Sequence, residues 1–556
     1  MRSTLPSRSE AATALSTAVD RVESRLRNPT HVDKLAIGID TRALAAFRVL
    51  VGLLIVADVL SRARNFSFYY TDDGVVSQSL AQSHTSDGAF SVFFYTSDPT
   101  VIAGLFVLTA LVGVVLLLGY RTRVMTVAAF LLVISFDHHN PFVTSYADTL
   151  FRLLLFWAIF LPLGERWSID ALHAASRSDE GDPGSGSARA VSGPRETVAG
   201  LASVAILAQM ITMYVVNGIH KSRSEMWGTT DVAPLVLGID EMTFLLGDFM
   251  RGFPTLLGYG GVLWYYMMLT AWALVLLRGK ARIAFVGLFV GGHLSFAVTV
   301  RIGAFAYVAL AGLLLFLPPS FWDAVETAGR RVSRLVAART TVSLSRGDLR
   351  QWVAILPNPR LRSSVADRGL RVTLTVVLMV AVVAVLVAPA VAIAPIADDT
   401  DGTHDSIDST VNALSIDQPS WSVFAPTPRT TDRYYVVTGM TADGEEYDLF
   451  NDRELAYDRP YDELQKQHGT YRERFYMNSV RRAGNNDPVS DPFAEHLCET
   501  AQEDGLNVTH LQMFTVTEDI TMETLDDHED RDRSYSRFYL GGCGDNNPRD
   551  VTQPPS

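Results

Sequence analysis

Lysine is almost missing from this 556-residue chain: of 47 basic residues, only Lys34, Lys221, Lys280 and Lys466 are lysine. Cysteine is scarcer still, with Cys498 and Cys543 the only two. That pair excludes a CxxC redox motif, a thiolate zinc site and a cysteine-ligated iron–sulfur cluster built within the chain. No internal repeat is visible, which disfavours a transporter made of repeated halves. The first forty residues lack a secretory leader pattern, and the 3–4 spacing of Leu15, Val19, Val22 and Leu26 predicts an amphipathic helix lying on a membrane or a bundle.

What is present is contradictory for a single globular domain. Hydrophobic residues make up 48% and the mean hydropathy is positive, yet the formal net charge is −13. A greasy part joined to an acidic part resolves this, and the chain divides near Ala397. Beyond that point acidic residues outnumber basic ones more than twofold, and no long apolar run remains. An Asp-rich, Lys-poor surface holds a dense layer of water and cations, as haloarchaeal proteins do. The acidity then reflects a salty solvent rather than a nucleic-acid partner.

A bilayer core takes about twenty apolar residues of helix. Segments 44–60, 101–120, 198–219, 255–277, 283–300 and 370–396 meet that length, and 124–136, 149–163 and 302–317 qualify if neighbours shield them. The expected fold is therefore an all-α polytopic membrane domain of about nine helices followed by a smaller α+β extracytoplasmic domain. Segment 232–249, interrupted by Pro234, Asp240, Glu241 and Gly247, reads as re-entrant or interfacial. The organisation expected is a cytoplasmic N-terminal segment (1–38), a membrane domain (39–323), a basic cytoplasmic loop (324–369), a last span (370–396) and an acidic exterior domain (397–556). Arginine crowds the loops that this scheme places inside, including Arg121, Arg123, Arg278, Arg282, Arg330, Arg331 and Arg334. Arg62, Arg64, Arg223 and Arg301 run against the trend.

An exterior location permits a Cys498–Cys543 disulfide and exposes the sequon Asn507-Val508-Thr509. In the acidic domain, 434–440 and 446–450 read as strands around the turn Ala442-Asp443-Gly444, 492–503 as a helix and 510–516 as a strand. Segment 179–194 is a flexible loop by composition, and 545–556 reads as a frayed end.

Polar residues within or beside spans are expensive and carry the functional reading. Residues 214–228, YVVNGIHKSRSEMWG, end a span at Gly218 and then place His220, Lys221 and Trp227 at the interface. Arginine serves for snorkelling and keeps its proton, whereas a desolvated lysine can lose it and act as a base. An interfacial anchor beside an aromatic belt explains the same residues. Residues 136–148, FDHHNPFVTSYAD, supply Asp137, His138, His139, Asn140, Thr144, Tyr146 and Asp148, or else simply form a polar turn. His293 is an imidazole inside an apolar helix, either a ligand contact or a packed core residue. A haem held by His138 or His139 with His293 lacks any cytochrome spacing. Arg48 and Asp58 lie too far apart on one span to pair and are expected to meet partners on other helices.

Taken in order, these groups resemble the HTTM (horizontally transferred transmembrane) family, whose eukaryotic members are the vitamin K-dependent γ-glutamyl carboxylases. The marks are Arg48 with Asp58, Tyr70-Thr71-Asp72-Asp73-Gly74, Asn140-Pro141 with Asp148, and Leu161-Pro162-Leu163-Gly164. Gly218, Lys221 and Trp227 follow, then His293 with Ile302-Gly303-Ala304-Phe305, and Gln418-Pro419-Ser420-Trp421-Ser422-Val423-Phe424-Ala425-Pro426. The resemblance implies an enzyme using a reduced quinone (menaquinone or vitamin K), O₂ and CO₂, with Lys221 as base and His293 and His220 beside it. It implies a quinone pocket drawing on Asn140, Thr144, Tyr146, Asp148, Trp227 and Tyr214. Thr144 stands where the carboxylases carry a histidine, so the acceptor is either a protein glutamate or another exterior protein or small molecule. The rival expectation is a non-catalytic envelope protein whose exterior domain binds a partner.

Overall fold

The computed structural model describes residues 37–179 except 87, 196–337, and 416–554 except 417, 526 and 552. The last expected span (370–396), the N-terminal amphipathic segment, all but the first residue of the loop 179–194 and most of the basic loop lie outside the described residues.

Local chemistry sets the helix ends. Helix α1 (Thr41–Ala63) starts at Asp40, whose carboxylate accepts from the Arg42 amide. Helix α2 (Pro99–Leu118) starts with the Asp98 side chain and Pro99, and stops at Gly119, which adopts φ +71°. Helices α3 (Thr122–His139) and α4 (Tyr146–Ala158) flank the polar turn, and a Ser145/Asp148 capping box opens α4. Then come α5 (Ile169–Asp179), α6 (Leu201–Lys221), α7 (Pro254–Leu269), α8 (Gly279–Thr299), α9 (Phe305–Leu314) and α10 (Pro319–Ala337).

Four of these, α1, α2, α6 and α8, are long and apolar enough to cross a membrane, and a fifth span arises if the bent pair α9–α10 counts as one. Apolar side chains stand exposed along them, among them Val107 and Leu111 on α2 and Leu288 and Leu294 on α8. Such a surface suits lipid and marks a multi-pass membrane protein. The described residues thus hold fewer full-length spans than the sequence suggests. Segment 149–163 folds as the 13-residue α4, about 20 Å long against a core of about 30 Å. Segment 255–277 breaks after Leu269 and resumes as the short helix Ala273–Leu276. Segment 302–317 contributes the ten-residue α9, after which the chain turns by 101°.

The C-terminal domain is built on an antiparallel five-stranded sheet. Its strands are β1 (Thr431–Thr441), β2 (Glu446–Asp448), β3 (Arg453–Glu454), β4 (Val508–Asp519) and β5 (Arg533–Gly542), in the order β3-β2-β1-β4-β5. Strand alternation splits β1 between two cores. Tyr435 and Val437 pack with helices α11 (Tyr471–Ala483) and α12 (Asp491–Glu503), through Tyr476, Met477, Val480 and Phe493. Tyr434 and Val436 pack on the other face with Tyr457, Leu464 and Val516. Gly444, at φ +86°, closes the expected β1–β2 turn. Cys498 of α12 and Cys543 form the disulfide.

The first of these cores also contains Val59, Tyr69, Tyr70, Phe136 and Phe142 from one end of the bundle. The sheet domain therefore sits on the end where α1 finishes. At the opposite end, Arg42 pairs with Asp323 at 2.7 Å and ties α10 to the start of α1.

Candidate functional site

Helices α6, α7 and α8 enclose a cavity of about 510 Å³, closed on one side by residues 421–424. Two glycines permit the close approach. A Cβ at Gly218 would stand 3.0 Å from the Leu269 amide nitrogen, and one at Gly292 would strike the Trp264 indole. The lining is mostly apolar and aromatic; its polar side chains include Tyr214, Asn217 and Lys221 on α6 and His293, Ser295 and Thr299 on α8.

Lys221 is the last residue of α6 and only 3% exposed. Its Nζ donates to the carbonyls of Val423 (2.8 Å) and Phe424 (3.1 Å) and lies 3.4 Å from the centre of the Trp227 ring. One helical turn earlier, Asn217 Nδ2 donates to the carbonyls of Trp421 (2.6 Å) and Val423 (3.0 Å). Trp227 Nε1 donates to the Pro426 carbonyl at 2.8 Å. His293, buried on α8, meets the Tyr214 hydroxyl through Nε2 at 2.7 Å, while its Nδ1 has no partner. Trp264 packs edge-on against this imidazole, with centroids 5.2 Å apart. Lys221, Trp227, Tyr214 and His293, picked from sequence, thus share one cavity.

The other sequence-selected residues lie elsewhere. His220 neighbours Lys221 on α6, points about 100° away from it, and is not among the lining residues. Asn140 is consumed by the Tyr69 carbonyl and the Phe142 amide, and Thr144 donates to the Pro141 carbonyl. Asp148 caps α4 and accepts from Arg62 and Arg472. Of that turn, Tyr146 alone approaches the site. Its ring stacks on Trp421, and its hydroxyl lies 3.0 and 3.1 Å from the hydroxyls of Ser420 and Ser422. His138 bonds the Phe90 carbonyl, and His139 is stacked between Tyr70 and Phe93. Arg48 spends its guanidinium on the carbonyls of Leu117, Leu163, Arg166 and Trp167. Among the described residues, no three His, Cys, Asp or Glu side chains converge on a metal position.

Asp58 finds one partner on its own helix, Arg62 at 2.8 Å, and another in the C-terminal domain, Arg472 at 2.5 Å. Two of the arginines that the sequence set against the expected positive-inside pattern are engaged at this join. Arg62 is buried among Asp58, Asp137 and Asp148. Arg301 donates to the carbonyls of Gln465, His468 and Gly469. A second buried cluster joins the loop before α7 to the sheet. Arg459 bridges Asp240, Asp432 and Glu518, and Arg531 reaches Asp240 and Asp432. Burial alone would raise the Glu241 carboxyl, yet Arg429 and Arg474 hold it below the usual carboxylate range.

Sequence reasoning passed over Asn217, Gln209 and Trp264. The first two are amides inside an apolar helix, a signal in themselves. Residues 418–426 carried a motif but no hint that their backbone carbonyls would be the partners of Lys221. Trp421 and Phe424 adopt φ +49° and +52°, a conformation that costs a bulky residue about 1 kcal/mol or more. Compared with protein-family models, curated proteins and solved structures, the chain matches none.

Proposed function

We propose that this chain is an HTTM-type membrane enzyme, related to the vitamin K-dependent γ-glutamyl carboxylases, that binds a reduced quinone in the α6–α8 cavity and uses Lys221 as its base. One observation carries the reading: a lone buried lysine and a Tyr214–His293 pair line the same apolar cavity. Its volume falls within the few hundred to about 1,000 Å³ usual for small-ligand sites. Trp227, Trp264 and Phe296 offer flat faces and edges to a ring, and Lys221 and His293 supply the polar contacts that orient its oxygens. A base beside a quinol hydroxyl takes its proton and opens the ring to O₂, and the strongly basic product drives CO₂ capture by an acceptor. The acceptor is a protein glutamate or another exterior molecule.

In this reading the helical part crosses the bilayer several times, the arginine-rich loops face the cytoplasm and the acidic sheet domain lies outside, in concentrated salt. The decisive experiment is extraction of quinone from the purified protein, followed by an assay of quinol epoxidation in membranes. Lys221→Ala should abolish turnover while the protein still accumulates. Undiminished turnover in that variant removes the proposal.

A second reading has its own support: the Lys221 amine is fully engaged by two carbonyls and an indole face, as a structural staple would be. In that case the chain is a non-catalytic envelope protein whose sheet domain binds a partner. Purified protein free of quinone favours it.

A further inference from the structure

We propose that residues 418–426 form a latch that keeps Lys221 occupied until the segment withdraws from the bundle. The inference rests on the reading of Lys221 as the working amine of the cavity. A neutral amine has two N–H bonds and one lone pair, and an ammonium has three N–H bonds. In either state two donors are spent on the Val423 and Phe424 carbonyls, and the remaining lobe meets the Trp227 ring 3.4 Å away. Nothing is left for a molecule in the cavity. Lys221 can act on a ligand only after those carbonyls have moved.

The segment is built for removal. It is held by side chains rather than by a strand ladder. The Gln209 and Gln418 side-chain amides donate to each other's oxygens at 2.9 and 2.8 Å, Asn217 grips two carbonyls, and Tyr146 meets two serine hydroxyls. Its Trp421 and Phe424 sit at positive φ, so release relieves backbone strain. Trp421, Val423 and Phe424 are also cavity wall, so the movement that frees the amine opens the cavity. Five residues beyond Pro426 the chain enters β1, the middle strand of the sheet. A partner or acceptor that shifts the sheet domain on the bundle therefore pulls the latch directly. Substrate arrival at the sheet domain would thus license the amine, and an idle enzyme would keep its base covered.

The test measures the accessibility of each lysine in the full-length protein in lipid nanodiscs, by reductive methylation with formaldehyde and cyanoborohydride read residue by residue in a mass spectrometer. Lys466, whose side chain is 59% exposed, is the reference. Lys221 should react roughly 100-fold more slowly than Lys466, as expected for a group that reacts only through local opening. Gln209→Leu and Tyr146→Phe each remove an anchor of the latch without touching Lys221. Each removes two hydrogen bonds that hold the segment and should speed Lys221 methylation by about tenfold or more, with Lys466 unchanged. If Lys221 reacts as fast as Lys466 in the unaltered protein, or if both variants leave its rate unchanged, the latch is refuted. Tyr146→Phe keeps the aromatic stack on Trp421, so a folding failure of Gln209→Leu does not decide the matter. The measurement needs neither quinone nor turnover. A chain that latches Lys221 but carries no quinone would sink the enzymatic reading alone.

Discussion

His468 carries the clearest pH signature of any single residue in the sheet domain. Its ring is buried against Tyr435 and Phe450, and neither nitrogen has a partner. Burial pushes the imidazole down to about 4, against the pull of Glu241 and with Arg474 and Arg301 adding to the effect. The fold therefore holds the neutral ring, while the unfolded chain takes up a proton near pH 6.5. This contribution is complete above pH 6.5 and is lost as the pH falls toward 4. The gap between those values, at about 1.4 kcal/mol per pH unit, bounds the loss at about 3 kcal/mol. Urea denaturation of the full chain across that range should show the decline, and His468→Phe should flatten it. An unchanged slope in that variant would assign the acid sensitivity elsewhere. At this scale the sequence was informative where rarity spoke: Lys221 stood out because the chain avoids lysine. Arg472 did not, because its meaning lies in Asp58 and Asp148, more than 300 residues away.

The disulfide is the element whose worth follows most directly from chain length. Cys498 and Cys543 are 45 residues apart and tie α12 to the end of β5. In the loop-entropy account a closure of that size stabilises the fold by about 4 kcal/mol at most. Cys498→Ser with Cys543→Ser should lower the denaturant midpoint of the sheet domain accordingly, and reductant should reproduce the effect in the unaltered protein. A midpoint that ignores both would show that the two helices and the sheet hold without the cross-link. Element type was legible where pattern and packing agree. YYVVTGM became β1, and the stretch from Pro492 became α12. Strand β5, RSYSRFYLGG, escaped notice because its first half is polar and little of it is fully buried. Helix α11 escaped because its buried face carries Arg472 and Arg474 as well as Tyr476 and Val480. Two of the expected spans, 255–277 and 302–317, are not single long helices, for a related reason. Composition reports how greasy a segment is, but not that a helix ends at Leu269 or that the chain turns by 101° around Pro318-Pro319.

Across the whole molecule, the join between bundle and sheet domain decides whether the domain is docked or merely tethered. Phe136, Phe142, Tyr435 and Tyr476 supply a greasy contact there. Within it lie charges with little access to water: Arg472 contacts Asp58 and Asp148, and Arg62 shares both of those and Asp137. Replacing such a cluster wholesale with apolar groups can be neutral, but removing one partner strands the others in a poor solvent, at a cost of about 3–5 kcal/mol. Arg472→Met is the informative single change. It keeps the length and greasiness of the side chain yet leaves Asp58, Asp137 and Asp148 around Arg62. Because the deficit falls on the join and not on the sheet itself, the expected result is undocking without unfolding. Hydrogen exchange should rise at the start of α11 and at the end of α1, while β1 and β4 stay protected. Lys221 methylation should accelerate in the same variant, since an undocked domain no longer holds residues 418–426 in place. Protection lost uniformly across the sheet would mean that the domain cannot stand without the bundle. Protection unchanged at α11 would mean that the aromatic contact alone docks it.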